Sequence, residues 1–357
     1  MRRTIAATIA VIGLCLAVFA APSAAVPREL FGISNGQPLN QQDFRKLKST
    51  GVRTLRFAIN WYNVQPSPGS PKWGATDELV GDLAARGIHP VPFIYGSPSW
   101  VAKQPKRPPL GSARKVRAWR KFLVLVVQRY GRQGTYWTGG AYQQAHPGAQ
   151  PTPITAYQIW NEPNLPKYFP RKKTIRKYGK LVKIAHRAIN GVDRRAKVVL
   201  AGLTGYAEPR GWTFLDRLYR VKRIKQNFEV AALHPYAATI GQFRTEARRI
   251  RQVIEGHHDG HTALWLTEVG WGSDHGTRRF PLNKGLQGQA RMLRKSFKLV
   301  LHKRRSWHIQ RLFWFDWRDP ARGTGAYCSF CPSAGLLRHN QNPKPAYRAF
   351  RRFTPGD

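Results

Sequence analysis

Cysteine, acidic side chains and long apolar runs are all scarce in this chain. Its 357 residues include 3 cysteines, but a core of this size needs no disulfide staples. No segment after residue 20 is apolar and long enough to span a bilayer, so we predict no stable membrane insertion. There is also no linker rich in proline and serine, and no internal repeat longer than one strand and one helix. We therefore expect one domain over residues 26–357.

The N-terminal segment has the features of a secretory signal peptide. Arg2 and Arg3 form a positively charged N-terminal region, and residues 4–20 are almost wholly apolar. Ser23-Ala24-Ala25 then offers a small-residue cleavage site. We predict that residues 1–25 are removed after Ala25 and that the protein is secreted. A membrane anchor is the alternative, although the apolar run is short for a span of about 20 residues and no stop-transfer pattern follows.

The second scarcity is negative charge. The chain has 60 lysines and arginines against 18 acidic residues, a formal net charge of +42. Such a field concentrates polyanions, but the basic residues are spread through every segment, which argues against nucleic acid as the partner. Two interpretations of the positive charge stay open. It could attract the protein to an anionic cell envelope or an acidic polysaccharide, or it could reflect a proteome that is rich in arginine throughout. The pattern predicts no particular oligomeric state.

Two cysteines remain after the signal segment, which contains Cys15. Cys328 and Cys331 are spaced C-x-x-C, and in an oxidising compartment this spacing favours a small loop disulfide. A redox motif is the alternative, but no thioredoxin-like βαβ pattern surrounds the pair. Two cysteines alone also do not make a zinc site.

Eight short apolar runs are spaced along the remaining chain. Because the runs are continuous rather than alternating, they predict strands buried on both faces, as in a parallel sheet. The runs are Leu30–Ser34, Thr54–Trp61, His89–Tyr95, Ala156–Asn161, Lys197–Gly202, Phe228–His234, Ala263–Val269 and Arg311–Trp317.

An amphipathic stretch follows each run, which makes eight βα units. The predicted helices are Asn40–Thr50, Asp77–Arg86, Ala113–Tyr130, Thr174–Asn190, Trp212–Tyr219, Gln242–Gly256, Gly285–Lys303 and Lys344–Phe350. Repeated βα units that close on themselves form a (β/α)8, or TIM, barrel of the α/β class. An open doubly wound sheet is the alternative fold.

Two glutamates stand where predicted strands end. Glu162 follows the fourth strand in Trp160-Asn161-Glu162-Pro163, and Glu268 ends the seventh in Thr267-Glu268-Val269-Gly270-Trp271. Functional groups of a TIM barrel lie at the C-terminal ends of its strands. Two carboxyl groups that flank one bond are what glycoside hydrolysis requires.

Both segments resemble signatures of the large clan of barrel-fold glycosidases whose catalytic carboxylates lie on strands four and seven. Trp160–Pro163 is similar to the clan's Asn-Glu-Pro acid/base motif, and Thr267–Trp271 is similar to its nucleophile motif. The likeness extends in the same order over nearly the whole mature chain, and it leaves family five and family thirty-nine open. Further matching segments are Gly51–Phe57, Gly96–Trp100, His234–Tyr236, Trp314–Asp319 and Pro343–Tyr347.

The resemblance implies a retaining glycosidase with a carbohydrate substrate and no cofactor or metal. Glu162 would be the acid/base, with its pKa raised by a dry pocket and by the charge of Glu268. Glu268 would be the nucleophile, kept ionised by Arg56 and Tyr236. The competing function is a non-catalytic barrel that binds glycans or polyanions, which predicts a missing or blocked carboxylate.

The same resemblance assigns substrate contacts. Asn161 would bind the sugar 2-hydroxyl, and His234 would donate to the nucleophile or the substrate. Trp314 or Trp317 would offer a flat apolar platform for a sugar ring, and only one of the two can point inward from a strand. His257, His258 and His261 lie in a polar turn before the seventh strand, where a solvated loop is favoured over a metal site.

Overall fold

In the described part of the chain, nine strands form one parallel sheet that closes on itself. The protein is described by a computed structural model for residues 26–324 and 328–354, so the predicted signal peptide lies outside the described residues. The strands are β1 (Phe31–Ser34), β2 (Thr54–Asn60), β3 (His89–Tyr95), β4 (Ala156–Ile159), β5 (Lys197–Leu200), β6 (Leu203–Thr204), β7 (Val230–His234), β8 (Ala263–Val269) and β9 (Ile309–Phe315).

The order of pairing shows that the sheet is a closed barrel with eight strand positions. Sequential strands are hydrogen-bonded neighbours except β5 and β6, and β9 returns to pair with β1 through four residue pairs, beginning with Phe31 and Leu312. The strands β5 and β6 both pair with β7 and are separated by two residues, so together they occupy the fifth position. The predicted (β/α)8 barrel is confirmed, and the open doubly wound alternative is wrong because the ring is closed.

Helices cover the outside of the ring, and every predicted helix is present. The helices are α1 (Gln41–Ser49), α2 (Trp61–Val64), α3 (Gly74–Ala84), α4 (Ala113–Tyr130), α5 (Thr135–Thr138), α6 (Ala141–Ala145), α7 (Thr174–Asn190), α8 (Gly211–Tyr219), α9 (Ile240–Gly256), α10 (Gly285–Lys303) and α11 (Pro345–Arg351). Reciprocal capping boxes, Asn40 with Asp43 and Thr239 with Gln242, fix the starts of α1 and α9. The short helices α2, α5 and α6 lie in loops whose sequence has no helical period of useful length.

Two apolar layers hold the barrel together. The inner layer fills the ring with side chains such as Val91, Val199, Trp265 and Phe313. A larger outer layer packs the strands against the helices. Successive side chains on a strand point to opposite faces, so the inner and outer layers use alternate residues, and polar groups accumulate where the strands end.

Candidate active site

A cavity of about 720 Å³ opens at the C-terminal ends of the strands. This is the end of a TIM barrel where function is found. Among the residues that line it are five of the catalytic and substrate-binding residues predicted from the sequence: Arg56, Asn161, Glu162, Tyr236 and Glu268. His234 is fully buried and lies within hydrogen-bonding distance of Glu162.

The two glutamates lie within 4.8 Å of each other, measured between carboxylate oxygens, and a nitrogen of His234 lies within the same distance of both. Glu268 belongs to β8, whereas Glu162 stands three residues past the end of β4. The turn that carries Glu162 has φ values of 74° at Trp160 and 38° at Glu162, a left-handed conformation that non-glycine residues rarely adopt. Such strain persists only where the surrounding structure imposes it, and it clusters at functional sites.

Glu268 is surrounded by donors. Arg56 donates through Nη1 to Oε1 at 2.7 Å, and the Tyr236 hydroxyl donates to Oε2 at 2.5 Å. Burial by itself raises the pKa of Glu268, but the electrostatic interactions with His234 and Arg56 and the two hydrogen bonds outweigh it, so the pKa is lowered overall. This carboxyl is therefore held ionised.

Arg56 is itself fixed on several sides. Its Nε donates to Gln158 at 2.6 Å, Nη1 to Ser34 at 2.9 Å and Nη2 to the Oδ1 of Asn161 at 3.2 Å. The guanidinium also lies 4.1 Å from the ring centroid of Phe93. Arg56 thus joins Glu268 to Asn161, the residue next to Glu162, and fixes the two sides of the site relative to each other.

Glu162 has the opposite electrostatic setting. Its side chain accepts from, or donates to, Nδ1 of His234 at 2.8 Å. Burial raises the pKa of Glu162, the contact with His234 opposes that rise, and the negative charge of Glu268 adds to it, leaving the pKa raised overall. Two neighbouring carboxyls therefore differ in protonation, one favouring the acid form and the other the carboxylate.

His234 is held in a tight slot at the end of β7. Its Nε2 is buried and has no hydrogen-bond partner within the described part of the chain. A Cβ atom at position 202 would overlap the imidazole ring, so the break between β5 and β6 needs glycine at that position. The backbone of the fifth barrel position thus makes room for the histidine that contacts Glu162.

Trp314 and Trp317 do not reach the cavity, and the expectation that one of them faces the substrate was wrong. Both are fully buried. Trp314 packs on the outer face of β9 against Phe297 of α10, whereas Trp317 lies past the strand and donates to Asp43 at 2.9 Å. The period of two along β9 instead points Phe313 into the barrel and Phe315 into the cavity.

Several residues of the site escaped the sequence analysis, some because they lie on loops without a motif and others because nothing in the strand sequences marked them as inward-facing. Tyr206 is 61% exposed and follows β6. Gln158 could have been found from the sequence, since an uncharged polar residue inside an apolar strand implies a buried hydrogen-bond partner. The other unpredicted aromatic lining residues are Tyr62, Phe93, Tyr95, Tyr168, Phe315 and Phe330.

The structure joins Cys328 and Cys331 in a disulfide. Both cysteines, together with Ser329 and Phe330 between them, line the cavity. The sequence indicated a small loop disulfide but gave no sign that the loop borders the site. His257 and His261 lie in the polar turn that precedes β8, where each is near an aspartate, Asp216 at 2.9 Å and Asp259 at 3.3 Å respectively.

Within residues 26–324 and 328–354, no helix is both long and apolar enough to cross a membrane. No protein-family model and no curated protein matches the sequence.

Solved structures with a similar fold include glycoside hydrolases. A family 39 glycoside hydrolase from Bacteroides cellulosilyticus is similar with a TM-score of 0.67 and 17% identity, over 92% of this chain and 64% of that one. For a β-xylosidase from Caulobacter crescentus the values are 0.62, 17%, 91% and 68%. For an exo-β-1,4-mannosidase from an Opitutaceae bacterium they are 0.64, 14%, 91% and 59%. At these identities the likeness shows the fold, and this chain spans about two thirds of the length of those enzymes.

Proposed function

We propose that this protein is a glycoside hydrolase that cleaves O-glycosidic bonds with retention of anomeric configuration. The observation that carries the proposal is the pair of carboxyl groups, with oxygens no more than 4.8 Å apart in one cavity. Retaining enzymes hold their carboxyls about 5–5.5 Å apart, whereas inverting enzymes need about 6.5–9.5 Å to admit a water molecule. The separation supports the first class.

In the first step, Glu162 donates its proton to the glycosidic oxygen while Glu268 attacks the anomeric carbon. The bond from that carbon to the leaving oxygen breaks, the aglycone departs as an alcohol, and the sugar is left as an ester of Glu268. Arg56 and Tyr236 keep Glu268 ionised for the attack, because both stabilise the charged carboxylate. Asn161 lies beside the acid in the cavity, where its amide contributes to sugar binding.

In the second step, the roles reverse. Glu162 lost its proton in the first step, and the esterified Glu268 has no negative charge to raise the pKa of Glu162, so Glu162 stays ionised. Glu162 then removes a proton from water as the water oxygen attacks the anomeric carbon. The ester bond breaks, Glu268 recovers its charge, and the sugar leaves with its original configuration.

The similar folds support the same chemistry, since the solved structures include a β-xylosidase and an exo-β-1,4-mannosidase. A carbohydrate substrate follows from the proposal. Folds are shared by many functions, so the two glutamates and their surroundings carry more of the argument than the fold does. Both carboxyls are present and the cavity leads to them, which favours catalysis over a barrel that only binds glycans.

A panel of aryl glycosides and oligosaccharides tests this function. We expect hydrolysis of at least one substrate, and proton NMR of the first sugar released should show the anomer of the substrate before mutarotation. The Glu268 and Glu162 variants treated in the Discussion serve as controls for a contaminating hydrolase. Release of the opposite anomer, or no hydrolysis anywhere on the panel, would contradict the proposal.

We further propose that the substrate is an acidic polysaccharide met outside the cell. The net charge of +42 supports an acidic substrate, and the signal-like segment at residues 1–25 supports a location outside the cell. Exposed basic residues occur on loops that follow the barrel strands: Lys103, Arg107, Lys167, Arg171, Lys172, Arg278, Arg279 and Arg322.

Salt dependence distinguishes an acidic substrate from a neutral one. On an oligosaccharide of uronic acids, kcat/KM should fall at least about tenfold as salt rises from about 0.01 M to about 1 M, because the Debye length shrinks from about 30 Å to about 3 Å. On a neutral substrate the same change should have little effect. Equal salt responses for the two substrates would show that the charge does not serve substrate capture.

A further inference from the structure

The turn closed by the Cys328–Cys331 disulfide forms a wall of the cavity. Its four residues all line the cavity, and Phe330 is only 3% exposed. Phe330 belongs to a small apolar cluster with Phe315, Cys331 and Ala334, against which Tyr236 packs. This cluster is separate from the two layers that hold the barrel together. The turn is therefore a part of the site and not only a disulfide that stabilises a distant loop.

A short chain of contacts leads from this turn to Glu268. The ring centroid of Phe330 lies 5.0 Å from that of Tyr236, and Phe315 lies 6.4 Å from Tyr236 on another side. The Tyr236 hydroxyl in turn donates to Oε2 of Glu268 at 2.5 Å. Aromatic packing of this kind orients a tyrosine whose hydroxyl must meet a single acceptor.

The turn is anchored strongly on its C-terminal side. The carbonyl of Ser333 accepts hydrogen bonds from Lys344 Nζ at 3.0 Å, from Gln289 Nε2 at 3.2 Å and from the backbone N–H of Ser273 at 2.9 Å. Ser333 N–H donates to the carbonyl of Phe330 at 3.1 Å. The disulfide then ties Cys328 to Cys331, at the start of the anchored segment, so Phe330 is held between two bonded residues.

We propose that Phe330, fixed by the Cys328–Cys331 disulfide, is a positioning residue that holds the Tyr236 hydroxyl on Glu268 and walls the sugar-binding subsite on that side. The second half of this inference rests on the proposed function, since it needs a sugar bound at Glu268. Phe330 thereby borders the cavity that Trp314 and Trp317 do not reach.

Kinetics of four variants test this role. For Phe330→Ala we expect kcat/KM to fall about three- to tenfold, with the acidic limb of its pH profile moved to higher pH. The direction follows because the Tyr236 hydrogen bond lowers the pKa of Glu268, and the active form of Glu268 is ionised. The Tyr236→Phe variant should move the limb the same way, and adding Phe330→Ala to it should move the limb no further. Phe330→Leu, which keeps an apolar side chain, should recover most of the loss.

Reduction provides a test on the unmodified protein. Dithiothreitol supplies two electrons and two protons, which convert the disulfide into two thiols. The reduced protein should have the same kcat/KM and pH profile as a Cys328→Ser/Cys331→Ser variant, and the kinetics of that variant should not respond to dithiothreitol.

Phe280→Ala is the matched control for Phe330→Ala, because Phe280 is an exposed phenylalanine on the neighbouring loop after β8. Its kcat/KM and pH profile should match those of the wild type.

Fluorine NMR of protein labelled with 3-fluorotyrosine separates this inference from the enzymatic proposal, because it needs no substrate. The Tyr236 resonance is identified by its loss in Tyr236→Phe. It should shift in Phe330→Ala and after reduction, but not in Phe280→Ala, while thermal unfolding shows that each variant is folded. An unchanged resonance would overturn the positioning role whether or not the protein hydrolyses a glycoside. A shifted resonance with no hydrolysis would uphold positioning and contradict only the proposed function.

Discussion

Replacing Glu268 with glutamine is expected to lower kcat by about four to six orders of magnitude, the scale of loss seen when a catalytic nucleophile is removed. The amide keeps the shape of the side chain but cannot form the glycosyl ester. Arg56 would still find an oxygen acceptor, so the fold should remain intact. Turnover of the best substrate from the panel, measured beside the thermal unfolding midpoint, checks both expectations.

A matched change elsewhere shows that the effect belongs to the site. Glu78 is an exposed glutamate on α3, and Glu78→Gln makes the same chemical change there. It should leave kcat and the unfolding midpoint unchanged. A Glu268→Gln protein with wild-type turnover would remove the nucleophile assignment, and with it the two-step mechanism.

Azide rescue then shows on which face of the sugar Glu268 acts. In Glu268→Ala, the space left by the carboxyl admits a small anion, which attacks the anomeric carbon of an activated aryl glycoside directly. The product should be a glycosyl azide of inverted configuration, because a single displacement replaces two. A glycosyl azide of retained configuration from this variant would place the nucleophile elsewhere.

Much of this architecture is readable from the sequence because burial leaves a strong pattern. Strands covered on both faces are continuous apolar runs, and the bounds of β3 and β8 coincide with the predicted runs. The two glutamates stand out because each is a charged residue at the end of such a run. Their convergence follows from barrel closure, which brings the ends of the fourth and seventh strands to one mouth.

The sequence does not show which side chains of a strand point into the barrel, or which distant loops contact each other. The predicted eighth strand began two residues late, and nothing in it distinguished inward from outward positions, so the tryptophans were assigned to the site and Phe315 was overlooked. Phe330 and Tyr206 lie on loops more than 100 residues apart, and only the closed ring places both beside Glu162 and Glu268. Loops are positioned by the scaffold rather than by their own composition.

Replacing Glu162 with alanine should produce a loss that depends on the leaving group. For substrates with a sugar alcohol as leaving group, kcat/KM should fall by about 10²–10⁴-fold, the usual contribution of general acid catalysis. For a dinitrophenyl glycoside, whose leaving group needs no proton, the first step should proceed at nearly the wild-type rate. The second step still needs a base, so the glycosyl ester on Glu268 should accumulate, visible as a burst of dinitrophenol and as a mass increase of the protein.

The pH profile of the same variant is an independent test of the acid role of Glu162. In the wild type, Glu162 works as an acid with a raised pKa, so activity should fall as pH rises through that value. In Glu162→Ala that basic limb should disappear for the dinitrophenyl substrate, whereas the acidic limb set by Glu268 should remain. Added azide should capture the ester and give a glycosyl azide of retained configuration, opposite to the product of Glu268→Ala.

Glu208→Ala is the control for this pair of measurements. Glu208 lies on the loop after β6, and its side chain is 79% exposed beside an exposed Arg210. It should keep the wild-type time course, without accumulation of the ester, and the wild-type leaving-group dependence and basic limb. A Glu162→Ala protein that loses activity equally on both classes of substrate would point to a structural role for Glu162, since only a proton donor discriminates between leaving groups by their need for a proton.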